Sequence, residues 1–514
     1  MPVTRLMSRL GLHRSEHASV ARDFSVYSSV NIVSLVLLLG TALMLRRYLG
    51  PLFAGIWITL EVLPNYAQYA HLGILNSAER DLPFLLGARR IGEFDRRKHT
   101  LFWLTHAIGA LLTLALLAGA VAFRSRLSPQ PLFVGLLIYA PILWLQILAA
   151  YYVVLYRARK RFVALSARQG IANLAKALLT MAAGYAFGLY GVFAALLTAA
   201  AAQAALLHAG LDDERFERVF DRDVLWPMLV AGLPMLVGAV AFETIRNADR
   251  LVIPVALGMT AQGVYSVVPI ICQGLFYVPN TLSLVMYPRF QTRYGETQTV
   301  ESLRRFVELP LRVLADGLLA AIVVLLVALP PALTAFLPEY ADSIGPMRVM
   351  MIGTYFLCLS PPAGQLLLTI HKQVHVLFIA VPSMMLALGA AYLGASRGLV
   401  GVAAGVAFGC AVQFASINLY ALSQLGSLAQ AVRPLVDIGA QAAVAIALVW
   451  AIERFVPTGP LPIALVGGFR LVAAAAVALP LLVRAALRLR EATSGAAPGS
   501  PTQAVFVDNP TTDH

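Results

Sequence analysis

The sequence predicts an all-α integral membrane protein, with fourteen transmembrane helices arranged as two parallel six-helix lobes and two helices appended at the C-terminus. Three observations carry this reading. Hydrophobic residues fill 59% of the 514 positions and charged residues only 13%, against roughly 45–50% and 25% in soluble domains. A mean hydropathy of +0.76, with 38 glycines and 29 prolines, excludes coiled coil and disorder and points to many apolar helices separated by breakers. Apolar windows of about 20 residues, the length that crosses a bilayer core, recur along the whole chain.

Taken in order, the windows are 28–46, 53–73, 100–123, 131–156, 167–187, 190–210, 226–246, 261–287, 308–329, 345–368, 373–394, 399–420, 435–454 and 462–484. Spans 1–6 make an N-lobe over 28–210 and spans 7–12 a C-lobe over 226–420, followed by the pair at 435–484. Residues 1–27 form a basic cytoplasmic segment, read as a surface helix without the cleavage pattern of a signal peptide. Residues 491–514, with the run Ser494-Gly-Ala-Ala-Pro-Gly-Ser-Pro, read as a disordered cytoplasmic tail.

The formal charge of +13 gains meaning from its distribution. Of the 39 Lys and Arg residues, 28 fall on the side of the termini and 9 on the other, while Lys176 and Arg470 lie within spans. Cytoplasmic loops of membrane proteins carry such an excess, so both termini are expected in the cytoplasm of a bacterial cell, with the chain in the inner membrane. No basic run is interleaved with exposed aromatics, which excludes nucleic acid as a partner. Cys272, Cys358 and Cys410 fall inside apolar segments, which excludes a disulfide framework or zinc ribbon. His371 and His375, four apart in a tight inner loop, lack further ligands, and no metal is expected.

One motif repeats. Leu49-Gly-Pro-Leu-Phe-Ala-Gly55-Ile-Trp57 follows span 1 and Leu257-Gly-Met-Thr-Ala-Gln-Gly263-Val-Tyr265 follows span 7; each opens the next span. An even offset of six helices preserves direction, so the halves are expected to be parallel repeats about the membrane normal. Taken singly, these residues read as a turn, where Gly tolerates positive φ, and an interfacial aromatic anchor.

The same residues resemble a known family. Leu49-Gly-Pro with Gly55, Leu72-Gly-Ile-Leu-Asn-Ser-Ala-Glu-Arg80 and Gly92 are similar to the opening of polysaccharide-biosynthesis (O-antigen) flippases of the multidrug/oligosaccharidyl-lipid/polysaccharide (MOP) exporter superfamily. So are Gly232-Leu-Pro234, Ala248-Asp-Arg-Leu-Val-Ile253, the Leu257–Tyr265 turn and Pro288-Arg-Phe290. The resemblance implies a fold like that of the multidrug exporters and export of a polyprenyl-diphosphate-linked oligosaccharide by alternating access. It also implies glycosyltransferases and a polysaccharide polymerase as partners, with membrane lipids around the chain.

Ionisable groups inside the membrane are functional candidates by default. Lys176 lies about ten residues into span 5 and Glu61 about nine into span 2, both near the midplane at about 1.5 Å per residue. Two readings stand: a salt bridge locking the N-lobe, or exposure to the cavity, favoured for Lys176, which would attract an anionic diphosphate. Arg246 and Arg250 join the candidate cavity set, Arg246 because its planar fork suits phosphate, together with Asn65 and Tyr265. Glu243, Arg246, Asp249 and Arg250 share a face on a continuing helix and also read as a charge network closing the outer end of span 7. Arg312 and Asp316, four apart in span 9, read as an intrahelical pair, with proton coupling through Asp316 as the alternative. Pro64, Pro227, Pro234, Pro269 and Pro279 bend helices and are candidate gating elements.

Three other functions compete. A cation-coupled drug or metabolite antiporter of the same superfamily would be expected to show a carboxylate site in its N-lobe, for which Glu61 alone is a thin basis. The lipid-linked peptidoglycan-precursor flippase resembles a cavity lined by basic residues in the first two spans, whereas Arg46 and Arg47 sit at a span end. A membrane polymerase or glycosyltransferase needs a sizeable external loop, and the longest here, roughly 330–344, is too short to fold into an active site. The protein is therefore expected not to be an enzyme. No phosphate-binding Gly-x4-Gly-Lys motif is present, so energy is expected from an H+ or Na+ gradient, the membrane potential or product consumption, without a cofactor.

Overall fold

The computed structural model describes residues 14–211, 216, 221–455 and 463–494. Among the described residues there are helices and turns and no strand. The helices are α1 (Arg14–Ala67), α2 (Ile74–Gly87), α3 (Ile91–Ala122), α4 (Gln130–Ala158), α5 (Phe162–Ala209), α6 (Arg222–Ala256), α7 (Met259–Tyr265) and α8 (Val267–Thr297). They continue with α9 (Arg304–Phe336), α10 (Ile344–Cys358), α11 (Pro361–Thr369), α12 (Gln373–Gly394), α13 (Gly398–Ser423), α14 (Leu428–Phe455) and α15 (Ile463–Ser494).

Nine stretches among the described residues are long and apolar enough to cross a membrane. Two of them, Phe162–Ala209 and Gln373–Ser423, each hold two predicted spans. They break at Gly188 (φ 61) and Gly398 (φ 70), inside the gaps the sequence left between those spans. Gly50 (φ 72) divides α1 in the same way. At each break the chain takes a left-handed conformation that a Cβ would oppose.

Four boundaries differ from the sequence reading. Span 7 was expected to end at 246, but α6 runs on to Ala256, because its charged residues find partners within the helix. Span 10 is two helices, α10 and α11, since Pro361 and Pro362 cannot continue a ladder and instead start a new helix after Ser360. The connection after span 2 contains α2, which buries Ile74, Leu75, Ala78, Leu82 and Leu85 along one stripe. The last helix reaches Ser494, so the first four residues assigned to the tail are helical. The tail from residue 495 and the N-terminal segment before Arg14 lie outside the described residues.

The chain forms two compact units. One holds the described residues from Arg14 to Val240 together with Gly258–Ser266; its core centres on Ile56, Trp57, Leu60, Tyr139, Val192 and Phe193, with a second cluster around Phe94, Tyr151, Leu155 and Leu207. Ion pairs Arg97–Asp81, Arg157–Glu79 and Arg96–Asp221 surround the second cluster and tie α2, α4 and the chain before α6 to it.

Apart from Leu257, both copies of the repeated motif lie in this first unit, and they interlock. Gly50 (φ 72, ψ 171) and Gly258 (φ 88, ψ 175) share one backbone conformation, each redirecting the chain into the helix that follows. A Cβ on Gly55 would overlap the main-chain oxygen of Met259, and a Cβ on Gly263 would overlap that of Pro51. Pro51 and Met259 occupy the same place in the two copies, as do Gly55 and Gly263. The contact is thus reciprocal between the two copies.

The second unit comprises Ala241–Leu257 and the chain from Val267. Small residues let its helices approach closely: Gly405 and Gly409 of α13 lie against Ala387–Ala391 of α12, and Gly353 of α10 meets Ala407. Such pairing is how apolar helices associate where lipid offers no hydrophobic gain.

Candidate binding cavity

The charged face of α6 is built turn by turn. Arg246 Nη1 donates to Glu243 Oε2 at 3.0 Å and its guanidinium lies 4.6 Å from the centre of the Phe276 ring. Asn247 Nδ2 donates to Glu243 Oε1 at 2.7 Å and to its carbonyl at 2.9 Å. Asp249 Oδ1 accepts the Arg250 backbone N–H at 2.8 Å. Pairing at three and four residues, expected on a continuing helix, is what forms.

These residues are largely buried in the protein. Asp249 is 2% exposed, and Glu243 and Arg250 are 8% each. The sequence counted Arg246 and Arg250 among outer-loop charges; both instead line a small, partly open pocket in the second unit, walled further by Gln273, Thr354, Cys272 and Cys410. Glu243 neutralises Arg246. The Arg250 Nε, by contrast, is buried without a hydrogen-bond acceptor. A buried donor left unsatisfied costs about 1–3 kcal/mol, which an anion entering the cavity would recover. Gln273, Phe276 and Thr354 were missed in the sequence because they lie on α8 and α10, and no local pattern marks them as facing α6.

The remaining candidates are dispersed. Glu61 and Lys176, both half-buried in the first unit, form no ion pair with each other, so the lock reading fails. Glu61 lies within electrostatic reach of the buried Tyr139. Asn65 is half-buried and its carbonyl accepts from Gln68. Tyr265 is 0% exposed and packs in the first unit, and it is not among the residues lining the Arg250 cavity.

Arg312 does not pair with Asp316. Asp316, 0% exposed, is held by Arg488 of α15 at 2.6 Å, while Arg312 lies 3.9 Å from Glu308. The helix turn offered Asp316 a local partner, but packing of α15 against α9 brings a better placed one. Arg46 is a further correction. Read as an outer-loop residue, it is 1% exposed; Nε donates to Ser266 Oγ at 2.8 Å and Nη1 to the Ala42 carbonyl at 2.7 Å. It lies 5.4 Å from the Trp57 ring and fastens the start of the first motif copy to the end of the second.

Comparison with known proteins places this geometry. The family model described as polysaccharide biosynthesis protein matches residues 92–334. No curated protein matches the sequence. Among solved structures, the chain is similar to the lipid II flippase MurJ in an inward closed conformation, with TM-score 0.70 and 12% identity over 88% of this chain and 97% of that one. It is also similar to an inward-facing multidrug resistance MATE family transporter of the MOP superfamily, with TM-score 0.63 and 16% identity over 78% and 98%. An outward-facing form of such a transporter gives TM-score 0.54 and 18% identity over 79% and 93%. The resemblance drawn from the sequence motifs is borne out.

Proposed function

We propose, for a chain with a MOP-superfamily fold and a polysaccharide-biosynthesis match, that it carries a polyprenyl-diphosphate-linked oligosaccharide from the inner to the outer leaflet by alternating access. Family and fold support a MOP-type membrane flippase; the O-antigen or exopolysaccharide substrate is the proposal. The observation that carries it is the buried, unsatisfied Arg250 Nε in a cavity that Arg246 also lines. A diphosphate supplies the acceptors that Arg250 lacks, and a guanidinium binds phosphate with two parallel donors.

The remaining expectations enter this reading as proposals. The chain crosses the bacterial inner membrane fourteen times with both termini in the cytoplasm. It works beside glycosyltransferases and a polymerase and is driven by an ion gradient without a cofactor. Lys176, half-buried and without an ion pair, adds a second positive charge for the substrate in the first unit. The MATE likeness keeps one alternative, a cation-coupled antiporter using Glu61.

The test is a deletion strain complemented with variants. Loss of the protein should abolish surface polysaccharide and trap lipid-linked repeat units on the cytoplasmic leaflet. Arg250→Gln and Lys176→Ala should insert normally and fail to restore export, whereas Arg250→Lys should restore part of it. Normal sidedness of the repeat units in the deletion strain would sink the flippase reading; drug sensitivity in that strain would favour the antiporter.

A further inference from the structure

A second concentration of positive charge, unrelated to the α6 cavity, lies where α9 packs along α15. Asp316 is the buried carboxylate at its centre, and three guanidiniums lie within electrostatic range of it: Arg488, Arg484 and Arg312. Arg488 is committed. It pairs with Asp316 at 2.6 Å and donates to the Arg312 carbonyl at 3.2 Å, which fixes α15 to α9. Arg484, one turn earlier on α15, is exposed and has no ion-pair partner among the described residues. Arg312 is 46% exposed and reaches only Glu308, at 3.9 Å, which Arg304 holds more closely at 2.7 Å.

Arg484 is therefore unmatched and Arg312 only shares Glu308 with Arg304, and both arginines lie within stretches apolar enough to cross the membrane, Glu301–Phe336 and Arg470–Arg488. Arginine at such depth is costly unless it meets an anion, and its long side chain can reach up to the headgroup level. Basic pockets between transmembrane helices on the cytoplasmic side bind anionic headgroups. The charge distribution assigns this end of α9 and α15 to the cytoplasm. Beside Arg484, Val483 and Leu487 are exposed and offer apolar surface to a hydrocarbon chain.

We propose that Arg312 and Arg484 form a phosphate site for an anionic phospholipid of the inner leaflet, with the Arg488–Asp316 pair as its floor. The site goes beyond the export reading, since it requires only that the chain span a membrane with this end of α9 and α15 at the inner leaflet. The experiment is thermal unfolding and native mass spectrometry of the purified full-length protein, supplied with dioleoylphosphatidylglycerol or dioleoylphosphatidylcholine. Phosphatidylglycerol should raise the melting temperature more than phosphatidylcholine and remain as a bound adduct. Arg312→Gln/Arg484→Gln should weaken that preference about tenfold or more, the single Arg484→Gln should weaken it in part, and Arg312→Lys/Arg484→Lys should retain it. Arg250→Gln, which tests the export cavity, should leave it unchanged. Equal response of the native protein to both lipids, or a preference that survives both Gln variants, would overturn the site. Displacement of phosphatidylglycerol by inorganic phosphate or farnesyl diphosphate at equal concentration would also overturn it, by showing that free phosphate or the prenyl diphosphate is the ligand.

Discussion

Arg46 and Arg250 look alike in the sequence, each an arginine at the end of an apolar run, and they end in different roles. Arg46 is saturated by Ser266 and Ala42, whereas Arg250 keeps an unsatisfied Nε in a cavity. Charge is legible from composition; whether a charge finds partners is decided by helices far away in the chain, which is why the sequence put both at the outer surface. The glycines of the repeated motif were legible as turns, but their main duty was not. Gly55 and Gly263 are small because a main-chain oxygen occupies the space beside each, and a backbone atom cannot rotate away. Gly55→Val and Gly263→Val should each lower stability by about 1–3 kcal/mol or more, seen as a lower melting temperature of the purified protein. Gly119→Ala is the control: nothing lies near the added methyl, and Ala favours the helix, so the melting temperature should stay or rise. A Gly55→Val protein with native stability would show that the two motif copies do not interlock.

At the scale of elements, most predicted gaps became turns because they contain residues that break a helix for local reasons, such as Gly50, Gly188 and Gly398. Local physics did not set the end of α6, where charges that resembled a membrane boundary pair within the helix, nor the partner of Asp316. That partner comes from α15, 172 residues away in sequence, where nothing in the pattern of α9 announces it. The pair also yields a prediction about packing. Breaking a buried ion pair from one side costs about 3–5 kcal/mol, because the other charge is left uncompensated, whereas replacing both partners with apolar residues is often neutral or better. Arg488 is part-exposed, so the smaller loss is expected from Asp316→Leu and the larger from Arg488→Leu, which strands the fully buried carboxylate. The double variant Asp316→Leu/Arg488→Leu should recover most of the loss, measured as a thermal-unfolding double-mutant cycle. Additive losses would mean that α15 is held to α9 by apolar packing alone.

For the whole molecule, the distribution of basic residues is the strongest long-range information in the sequence. Removing Arg46, Arg246 and Arg250 from the outer count, because they are buried or line a cavity, leaves that side poorer in positive charge than the sequence suggested. The orientation argument predicts the side of every connection. Cysteine labelling tests it with little background, since native Cys272, Cys358 and Cys410 are all buried. Ser125 and Ser396 are exposed in connections expected outside, and Lys160 and Ser427 are exposed in connections expected inside. Ser125→Cys and Ser396→Cys should react with a membrane-impermeant maleimide in intact cells, and Lys160→Cys and Ser427→Cys only after permeabilisation. Positions 125 and 396 are separated by eight predicted spans, an even number, so labelling on opposite sides would break both the count of fourteen and the parallel relation of the two halves. Labelling on the same side, but inside, would keep the repeat and reverse the protein. The phosphate of an inner-leaflet lipid could then not be what faces Arg312 and Arg484, because that end of α9 and α15 would lie at the outer leaflet.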